Sequence, residues 1–435
     1  MRSSMLAAAI ALAVGSSVSF SAFAQSGISA EEIAALKAQI AALQAQVAEL
    51  ETRTEAQSDI NIGTQEALDK MAAENPKVET KGGIKVTSPD KNFEVQIGGR
   101  IHFDTYAFDN DLVDPTGTTE FRRARLTFAG KAYGWAYKLE NDFAAGGGLE
   151  GFRDVFIATE AFGGKVTIGQ FKPFRAMEEL TSSNEITMLE RPFITASGLF
   201  AGRQFRQGVG YHRGNDNYTF GVAAFNTRDA AGPRNEGVGA SARLTYAPIN
   251  TPESTLHFGI SASTENANQG SPDVRAAVAY AGRRGPSQTI ATTTGGSGDS
   301  VDHVGLEAAG AFGPLYFQSE YAMATFGAPL DGDQDIRTFY VMGSWMLTGE
   351  HKPYKAAAGV FGSPKVGENG AWELTARYDT IENEDVAGLE VASTTLGVNY
   401  YVNPNVRFMF NYIRGDNDFT GDNTSQYALR AQLAF

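Results

Sequence analysis

The sequence predicts an all-β fold: a 16-stranded antiparallel transmembrane β-barrel preceded by a short N-terminal coiled-coil helix. Three observations carry this prediction. Polar and apolar residues alternate over many segments of about ten residues, which gives a strand two unlike faces and enough length to cross a bilayer at a tilt. Aromatic residues gather at the ends of these segments, as in interfacial girdles. The chain also begins with the pattern of an export signal.

The composition excludes several classes of protein. Among 435 residues, 36 Lys and Arg stand against 50 Asp and Glu, so the formal net charge is −14. This acidic balance argues against nonspecific binding to nucleic acid, which needs a basic field. Because the chain has no cysteine, disulfides, thiolate metal sites and cysteine nucleophiles are all excluded.

Residues 1–24 are predicted to be a cleaved signal peptide. Arg2 supplies the positive start, residues 5–14 form an apolar run, and Ala22-Phe23-Ala24 offers a small-x-small cleavage site. The apolar run is too short for a transmembrane helix. We therefore expect an exported protein.

Residues 28–56 are predicted to form a coiled-coil helix, which Ser29 and Glu32 begin with a capping box. Apolar residues then alternate at spacings of three and four, which is typical of a coiled-coil seam. The seam consists of Ile33, Leu36, Ile40, Leu43, Val47 and Leu50. So short a helix needs partner helices, whose number the pattern leaves open. The alternative is a single amphipathic helix on the protein's own surface. Residues 57–91 are polar and are predicted to be a linker.

The barrel is predicted over residues 92–435. Strands are expected at 93–108, 120–132, 134–143, 152–162, 164–171, 204–214, 217–226, 238–247, 254–264, 302–311, 314–325, 335–347, 370–380, 389–401, 405–415 and 424–435. A soluble β-sandwich would need strands of about five to six residues, so these lengths favour the membrane barrel. Residues 274–280 also alternate, but they would make the strand number odd and are placed in the long loop 265–301. An even number of strands and short turns at one end put both barrel termini on the periplasmic side.

The connection after the fifth strand, residues 172–203, is long and contains a helix-like stretch at 178–189. Loops of this length inside a compact domain are usually functional or disordered. We expect this loop to fold into the lumen of the barrel and to narrow it.

Basic residues on the strands and in this loop are predicted to form the constriction. Alternation points Arg123 and Arg125 into the lumen and places Arg122 at the strand end. Basic side chains at a narrow point of a pore attract anions. The full candidate set is Arg122, Arg123, Arg125, Lys172, Arg175, Arg191, Arg203 and Arg206. The alternative is a structural lattice in which a carboxylate across the lumen neutralises each arginine, because the acidic and basic residues predicted to face the lumen are nearly equal in number.

No residue pattern points to catalysis or to a metal. The five histidines lack metal-ligand spacing, and no hydrolase or metalloprotease motif is present. The segment from Asp331 lacks the glycine and the terminal glutamate of a calcium loop. We therefore predict no enzyme activity, no metal and no cofactor.

A series of short motifs runs along residues 92–435. They are Ile97-Gly98-Gly99-Arg100, Thr119-Glu120-Phe121-Arg122-Arg123-Ala124-Arg125, Gly169-Gln170-Phe171-Lys172-Pro173-Phe174, Glu178-Glu179-Leu180-Thr181-Ser182-Ser183, Leu347-Thr348-Gly349-Glu350 and Tyr401-Val402-Asn403-Pro404-Asn405-Val406. In this order they resemble the phosphate-selective porin family of Gram-negative outer membranes. The resemblance implies a sixteen-stranded homotrimer, an inward-folded third loop and basic side chains that replace the hydration of oxyanions. It assigns the arginine pair to Arg122 and Arg123 and the lysine that begins the loop to Lys172.

The predicted function is an outer-membrane porin through which small hydrophilic solutes diffuse passively, with phosphate-like anions preferred. One alternative is a general non-selective porin whose coiled coil also tethers the barrel to the cell wall. Another is a barrel enzyme, for which no motif exists. Phe435, which ends an alternating strand, is predicted to be the assembly signal that the outer-membrane insertion machinery binds. The predicted partners are this machinery, outer-membrane lipids, small anionic solutes and further copies of the chain, but not nucleic acid.

Overall fold

The computed structural model describes residues 29–80, 83–146, 148–199, 204–228, 230–293, 298–329 and 332–435. The predicted signal peptide, residues 1–24, lies outside the described residues, and so does Arg203. The chain divides into two compact units, which meet between Glu74 and Asn75 in the sequence. None of the helices in the described ranges has the length and apolar character needed to span a membrane.

The first unit contains one long helix, α1 (Ala30–Glu74), all of whose residues are exposed. Its capping box is present, because the Glu32 N–H donates to Ser29 Oγ at 3.2 Å and the Ser29 N–H donates to Glu32 Oε2 at 3.0 Å. The predicted end of the helix near residue 56 is wrong, and so is the linker over 57–74. The helix continues because no proline occurs before Pro76, and proline is the residue that most strongly ends a helix.

Polar side chains hold the second half of α1 in helical form. Gln57 Nε2 donates to Asn61 Oδ1 at 3.1 Å, and Gln65 Nε2 donates to Asp69 Oδ1 at 2.8 Å, each pair lying one turn apart. Between residues 54 and 64 the heptad positions that continue the seam hold polar residues. The next two positions, Leu68 and Met71, are apolar again, so the coiled-coil register is kept along the whole helix.

The second unit is a closed antiparallel barrel of sixteen strands, which confirms the predicted fold class. A hairpin, β1 (Lys77–Glu79) and β2 (Ile84–Thr87), precedes it. The barrel strands are β3 (Phe93–Asp109), β4 (Thr118–Ala132), β5 (Trp135–Asp142), β6 (Phe152–Ala161), β7 (Gly164–Phe171), β8 (Arg206–Gly214), β9 (Tyr218–Asn226), β10 (Val238–Asn250), β11 (Ser254–Asn266), β14 (Ser300–Phe312), β15 (Leu315–Gly327), β16 (Gln334–Met346), β19 (Ala371–Asn383), β20 (Glu390–Tyr401), β21 (Val406–Asn417) and β22 (Ser425–Ala434).

The last strand closes the barrel against the first. Strand β22 pairs with β3 from Ser425 opposite Asp109 to Ala434 opposite Arg100. Phe435 continues this ladder, because its N–H donates to the Gly99 oxygen at 3.0 Å and its carbonyl accepts from the Gly99 N–H at 2.7 Å. A Cβ atom at Gly99 would lie 2.6 Å from the Phe435 ring, so glycine is required for this close approach.

Alternation along the strands separates a polar lumen from an apolar outer face. On β19, Glu373, Arg377 and Asp379 are buried inside the barrel, whereas Trp372 and Leu374 are exposed on the outside. Each strand of a membrane barrel needs one apolar and one polar face, because the apolar face contacts lipid and the polar face lines the channel.

Two connections fold inward besides the predicted loop. Residues 274–280 do form a strand, β12 (Arg275–Ala279), but it pairs with β13 (Ser287–Thr292) as a hairpin inside the loop between β11 and β14. Val278 of this strand and Tyr280, which follows it, lie in one apolar cluster with Phe193 of the loop after β7.

The second inward connection joins β16 to β19 at the end where the other connections are short turns. It contains β17 (Tyr354–Lys355) and β18 (Val360–Phe361). Phe361 packs against Met177, Met188 and Tyr316 inside the barrel. The expectation of short turns throughout this end is therefore wrong for residues 347–370.

Candidate functional site

The long loop between β7 and β8 lies inside the barrel, and its backbone is hydrogen-bonded to the wall. Within it are two short helices, α2 (Met177–Leu180) and α3 (Phe193–Ala196). The Met177 N–H donates to Glu320 of β15 at 2.6 Å, the Leu189 N–H to Asn411 of β21 at 2.9 Å, and the Phe193 N–H to Asp379 of β19 at 2.9 Å. These bonds hold the loop against one side of the lumen.

Glu190 of this loop is the centre of an ion-pair network with the neighbouring part of the wall. Arg122 binds its carboxylate with two hydrogen bonds, Nε to Oε1 at 2.6 Å and Nη2 to Oε2 at 2.9 Å. Arg430 of β22 binds the same carboxylate at 3.1 Å and Asp104 of β3 at 2.6 Å. Paired bidentate contacts of this kind fix geometry as well as charge. The loop is therefore tied to strands β3, β4 and β22.

A β-bulge directs Arg122 into this network. The pairing of β3 with β4 shifts register so that His102 faces Arg123 while the next residue, Phe103, faces Phe121. Arg122 is the extra residue of the bulge, and a bulge re-aims the side chain that it carries. Alternation alone placed Arg122 at the strand end near the interface. The structure instead places both Arg122 and Arg123 in the lumen.

Arg123 is the arginine of this group that lacks a carboxylate. Its nearest hydrogen-bonding partner among the described residues is His102, whose Nδ1 lies 3.4 Å from Arg123 Nη1. Its side chain is 5% exposed. A buried cation with no acidic partner leaves an excess of positive potential where the dielectric is low.

The lattice alternative describes Arg125 correctly. Arg125 pairs with Glu140 at 2.9 Å and with Asp142 at 2.8 Å. Arg100 also reaches Glu140, at 3.2 Å, and donates to Ser183 of the loop at 2.8 Å. These arginines are neutralised in pairs, so they contribute structure more than net charge.

A second group of charges surrounds the start of the loop. Arg175 and Arg206 both bind Glu265 of β11, and all three side chains are buried. Lys172 Nζ donates to the backbone oxygen of Glu179, and the Glu179 carboxylate accepts no hydrogen bond from the described residues. Thus Arg175 and Arg206 share one carboxylate near the start of the loop, so they too are paired.

Two loop carboxyls differ in their tendency to ionise. Burial alone would raise the pKa of Glu190, but the charge and hydrogen bonds of Arg122 hold this pKa well below its usual range. Burial raises the pKa of Glu179, against the lowering effect of Arg175. Burial and then the charge of Arg191 lower the pKa of Lys172. Arg122 therefore favours the anionic form of Glu190, whereas burial disfavours the charged form of Lys172.

Arg430, near the end of the chain, also lies in the constriction network. Its guanidinium is fully buried and also donates to the Leu189 backbone oxygen at 2.6 Å. Arg377 and Arg407, which are not among the candidate residues, donate to the backbone oxygens of Glu190 and Ile186. Alternation places both on the polar face of their strands, but it does not predict that they reach the loop.

No group of acidic or histidine side chains that could hold a metal ion occurs in the parts of the chain that the structure describes. Several acidic residues of the lumen, among them Asp104, Glu140 and Glu307, instead form ion pairs with arginine. The site is thus a charged, hydrogen-bonded narrowing of the barrel, and within the group Arg122, Arg123 and Arg430 it is Arg123 that has no carboxylate partner among the described residues.

A closed sixteen-stranded barrel that is narrowed by its own loop defines the class as outer-membrane porins. The chain belongs to the family of phosphate-selective porins O and P, whose model matches residues 95–435. Porin O of Pseudomonas aeruginosa is 28% identical over 404 residues, covering 82% of this chain and 92% of that protein. An uncharacterized protein of Caulobacter vibrioides is 27% identical over 346 residues, covering 73% of this chain and 66% of that protein.

Solved structures share the fold. The anion-selective porin of Comamonas acidovorans superposes with a TM-score of 0.53 at 14% identity, covering 78% of this chain and 99% of that one. OmpT of Vibrio cholerae gives a TM-score of 0.51 at 13% identity, covering 79% of this chain and 98% of that one. The protein is therefore placed in the bacterial outer membrane as a porin.

Proposed function

We propose that the protein is a passive diffusion channel for small hydrophilic solutes that prefers anions, with phosphate-like oxyanions as its ligands. The observation that carries this proposal is Arg123, a lumenal cation without a carboxylate partner in the described chain, next to Arg122 and Arg430. The preference for anions is also supported by the comparisons, since the family is named for phosphate-selective porins and a porin of similar fold is described as anion-selective.

Position explains how one unpaired cation can set the preference of an acidic protein. Two unit charges 4 Å apart interact by about 1 kcal/mol in water and by about 4 kcal/mol at an effective dielectric near 20. Charges in the wide parts of the channel are screened within about 8–10 Å at physiological salt. A permeating anion therefore experiences the local excess at Arg123 more than the average charge of the wall. No covalent step is involved, and the anion exchanges water for arginine N–H donors.

Inorganic phosphate provides a direct test of the oxyanion preference. We expect phosphate to reduce the chloride conductance of the purified protein in planar bilayers, because it binds longer at the constriction. Arg123→Gln should raise the half-inhibitory phosphate concentration by about tenfold, which corresponds to about 1.4 kcal/mol. Arg337→Gln is the matched control, since Arg337 is an exposed arginine on β16. Chloride conductance that phosphate leaves unchanged would contradict the oxyanion preference.

A homo-oligomer, and specifically a trimer, is proposed for the assembled protein. The support is the seam of α1, where Ile33, Leu36, Ile40 and Leu43 are all about half exposed or more. Apolar side chains in heptad positions become stable when partner helices cover them. A threefold bundle is the state that the family resemblance implies.

The coiled-coil seam should determine the thermal stability of the oligomer. Leu43→Asp puts a charge in the seam, so we expect the oligomer to dissociate at a lower temperature in detergent, as measured by semi-native electrophoresis. Ala45→Asp, two residues away and off the seam, is the control and should leave the dissociation temperature in place. Equal effects of the two substitutions, or a large change in unit conductance with Leu43→Asp, would contradict this role.

A tether to the cell wall is a second role for the same helix. The favouring observation is its length: 45 residues, all exposed, extend over about 68 Å at 1.5 Å per residue. Deleting residues 30–74 separates tethering from permeation, because loss of co-sedimentation with isolated cell wall at unchanged conductance is expected of a tether.

A further inference from the structure

A cavity of about 560 Å³ lies inside the barrel against strands β6 to β10, beside the start of the long loop. Its wall is unusual for a channel lumen because three phenylalanines line it: Phe156, Phe171 and Phe174. Lys172 lines it too, whereas the constriction arginines Arg122 and Arg123 do not. The cavity therefore adjoins the start of the loop and is distinct from the network around Glu190.

The aromatic wall is built into the strands. The Phe174 ring stacks on His212 with 5.4 Å between ring centres and 15° between the planes. A Cβ atom at Gly221 would lie 2.5 Å from the Phe174 ring, and one at Gly210 would lie 2.9 Å from the Phe171 ring. Two glycines on neighbouring strands therefore leave the room that the rings occupy.

The charge of the cavity is positive. Two of its charged lining residues are neutralised by partners. Asp154 forms an ion pair with Lys138, and Arg243 donates two hydrogen bonds to Glu307, at 2.7 and 3.0 Å. Lys165 is half-buried and has no ion pair within the described residues, although Glu160 faces it across the strand pair. Its ammonium lies 5.5 Å from the centre of the Phe156 ring.

Chemistry of this kind suits one class of solute. A hydrated inorganic oxyanion gains nothing from phenylalanine rings, whereas an organic anion with an aromatic group can place the ring on them and its carboxylate on the lysine. Space is sufficient, because an apolar cavity of about 150 Å³ already holds benzene. We propose that this cavity is a binding site for aromatic carboxylates, with Lys165 as the charge anchor and Phe156 as the ring contact. The proposal rests on the anion preference proposed above.

The test compares benzoate with acetate, two carboxylates of equal charge, as inhibitors of chloride current through the full-length protein in planar bilayers. Burial of one phenyl ring should make the half-inhibitory concentration of benzoate about tenfold lower than that of acetate. Phe156→Thr should bring the two concentrations within about twofold of each other while acetate inhibition stays as it was. Lys165→Gln should weaken both inhibitors. Lys131→Gln, at an exposed lysine that is not in the cavity, should weaken neither.

Each alternative result has a distinct meaning. Equal inhibition by benzoate and acetate in an anion-preferring channel overturns the aromatic site and leaves the proposed function intact. A tenfold difference that persists in Phe156→Thr overturns the ring contact, and undiminished inhibition in Lys165→Gln overturns the anchor. If the zero-current potential measured on the same channels shows cation preference, the proposed function fails and this site fails with it.

Discussion

Replacing Arg123 with glutamate should shift the zero-current potential of the channel, in a KCl gradient, toward cation preference, and the shift should grow as salt is lowered. The side chain has no carboxylate partner among the described residues and lies beside Arg122 and Arg430. Reversing its charge therefore changes the local balance by two units where the dielectric is low. Screening weakens with dilution, which gives the dependence on salt.

The control for this substitution must lie outside the ion-pair network. Arg430 does not qualify, because it binds both Asp104 and Glu190, and its reversal would release the loop from the wall. Arg213→Glu applies the same change of charge at an exposed arginine on β8 that has no ion pair among the described residues. If the two reversals shift the potential equally, the average charge of the protein governs selectivity and Arg123 has no special role.

Deleting Phe435 should prevent assembly of the barrel. The residue exchanges two backbone hydrogen bonds with Gly99 at the seam between the last and first strands, so its loss leaves part of that seam open. We expect the shortened protein to accumulate in the periplasm in a protease-sensitive form. The measurement is heat-modifiable mobility of protein in isolated outer membranes.

Phe435→Tyr serves as the control, since it keeps an aromatic ring and the same backbone bonds. This variant should assemble normally. Normal amounts of heat-modifiable barrel from the shortened protein would show that Phe435 is dispensable for both closure and insertion.

The strands could be predicted from the sequence because lipid and water act on every second residue, which leaves a period that needs no knowledge of partners. The long inward loop could be predicted from its length. Its contacts could not, because Glu190 is 68 positions from Arg122 and 240 from Arg430. Ion pairs between such distant residues depend on the closed barrel.

Two local errors have physical causes. The predicted end of α1 was too early because the heptad pattern becomes polar after Leu50. The helix nevertheless continues, since polar side chains one turn apart form hydrogen bonds and no proline occurs before Pro76. Arg122 was placed at the strand end because strict alternation does not allow for the bulge that turns its side chain into the lumen. In both segments a periodic pattern, the heptad repeat or strand alternation, was extended to residues whose conformation depends on other contacts.

The sign of the zero-current potential of the unmodified protein is the most direct test of an anion-preferring porin. Purified full-length protein would be inserted in a planar bilayer between two KCl solutions that differ tenfold in concentration. We predict that the potential has the sign set by chloride and moves closer to the ideal chloride value when both solutions are diluted. A potential with the sign set by potassium would contradict the anion preference and leave only a general porin.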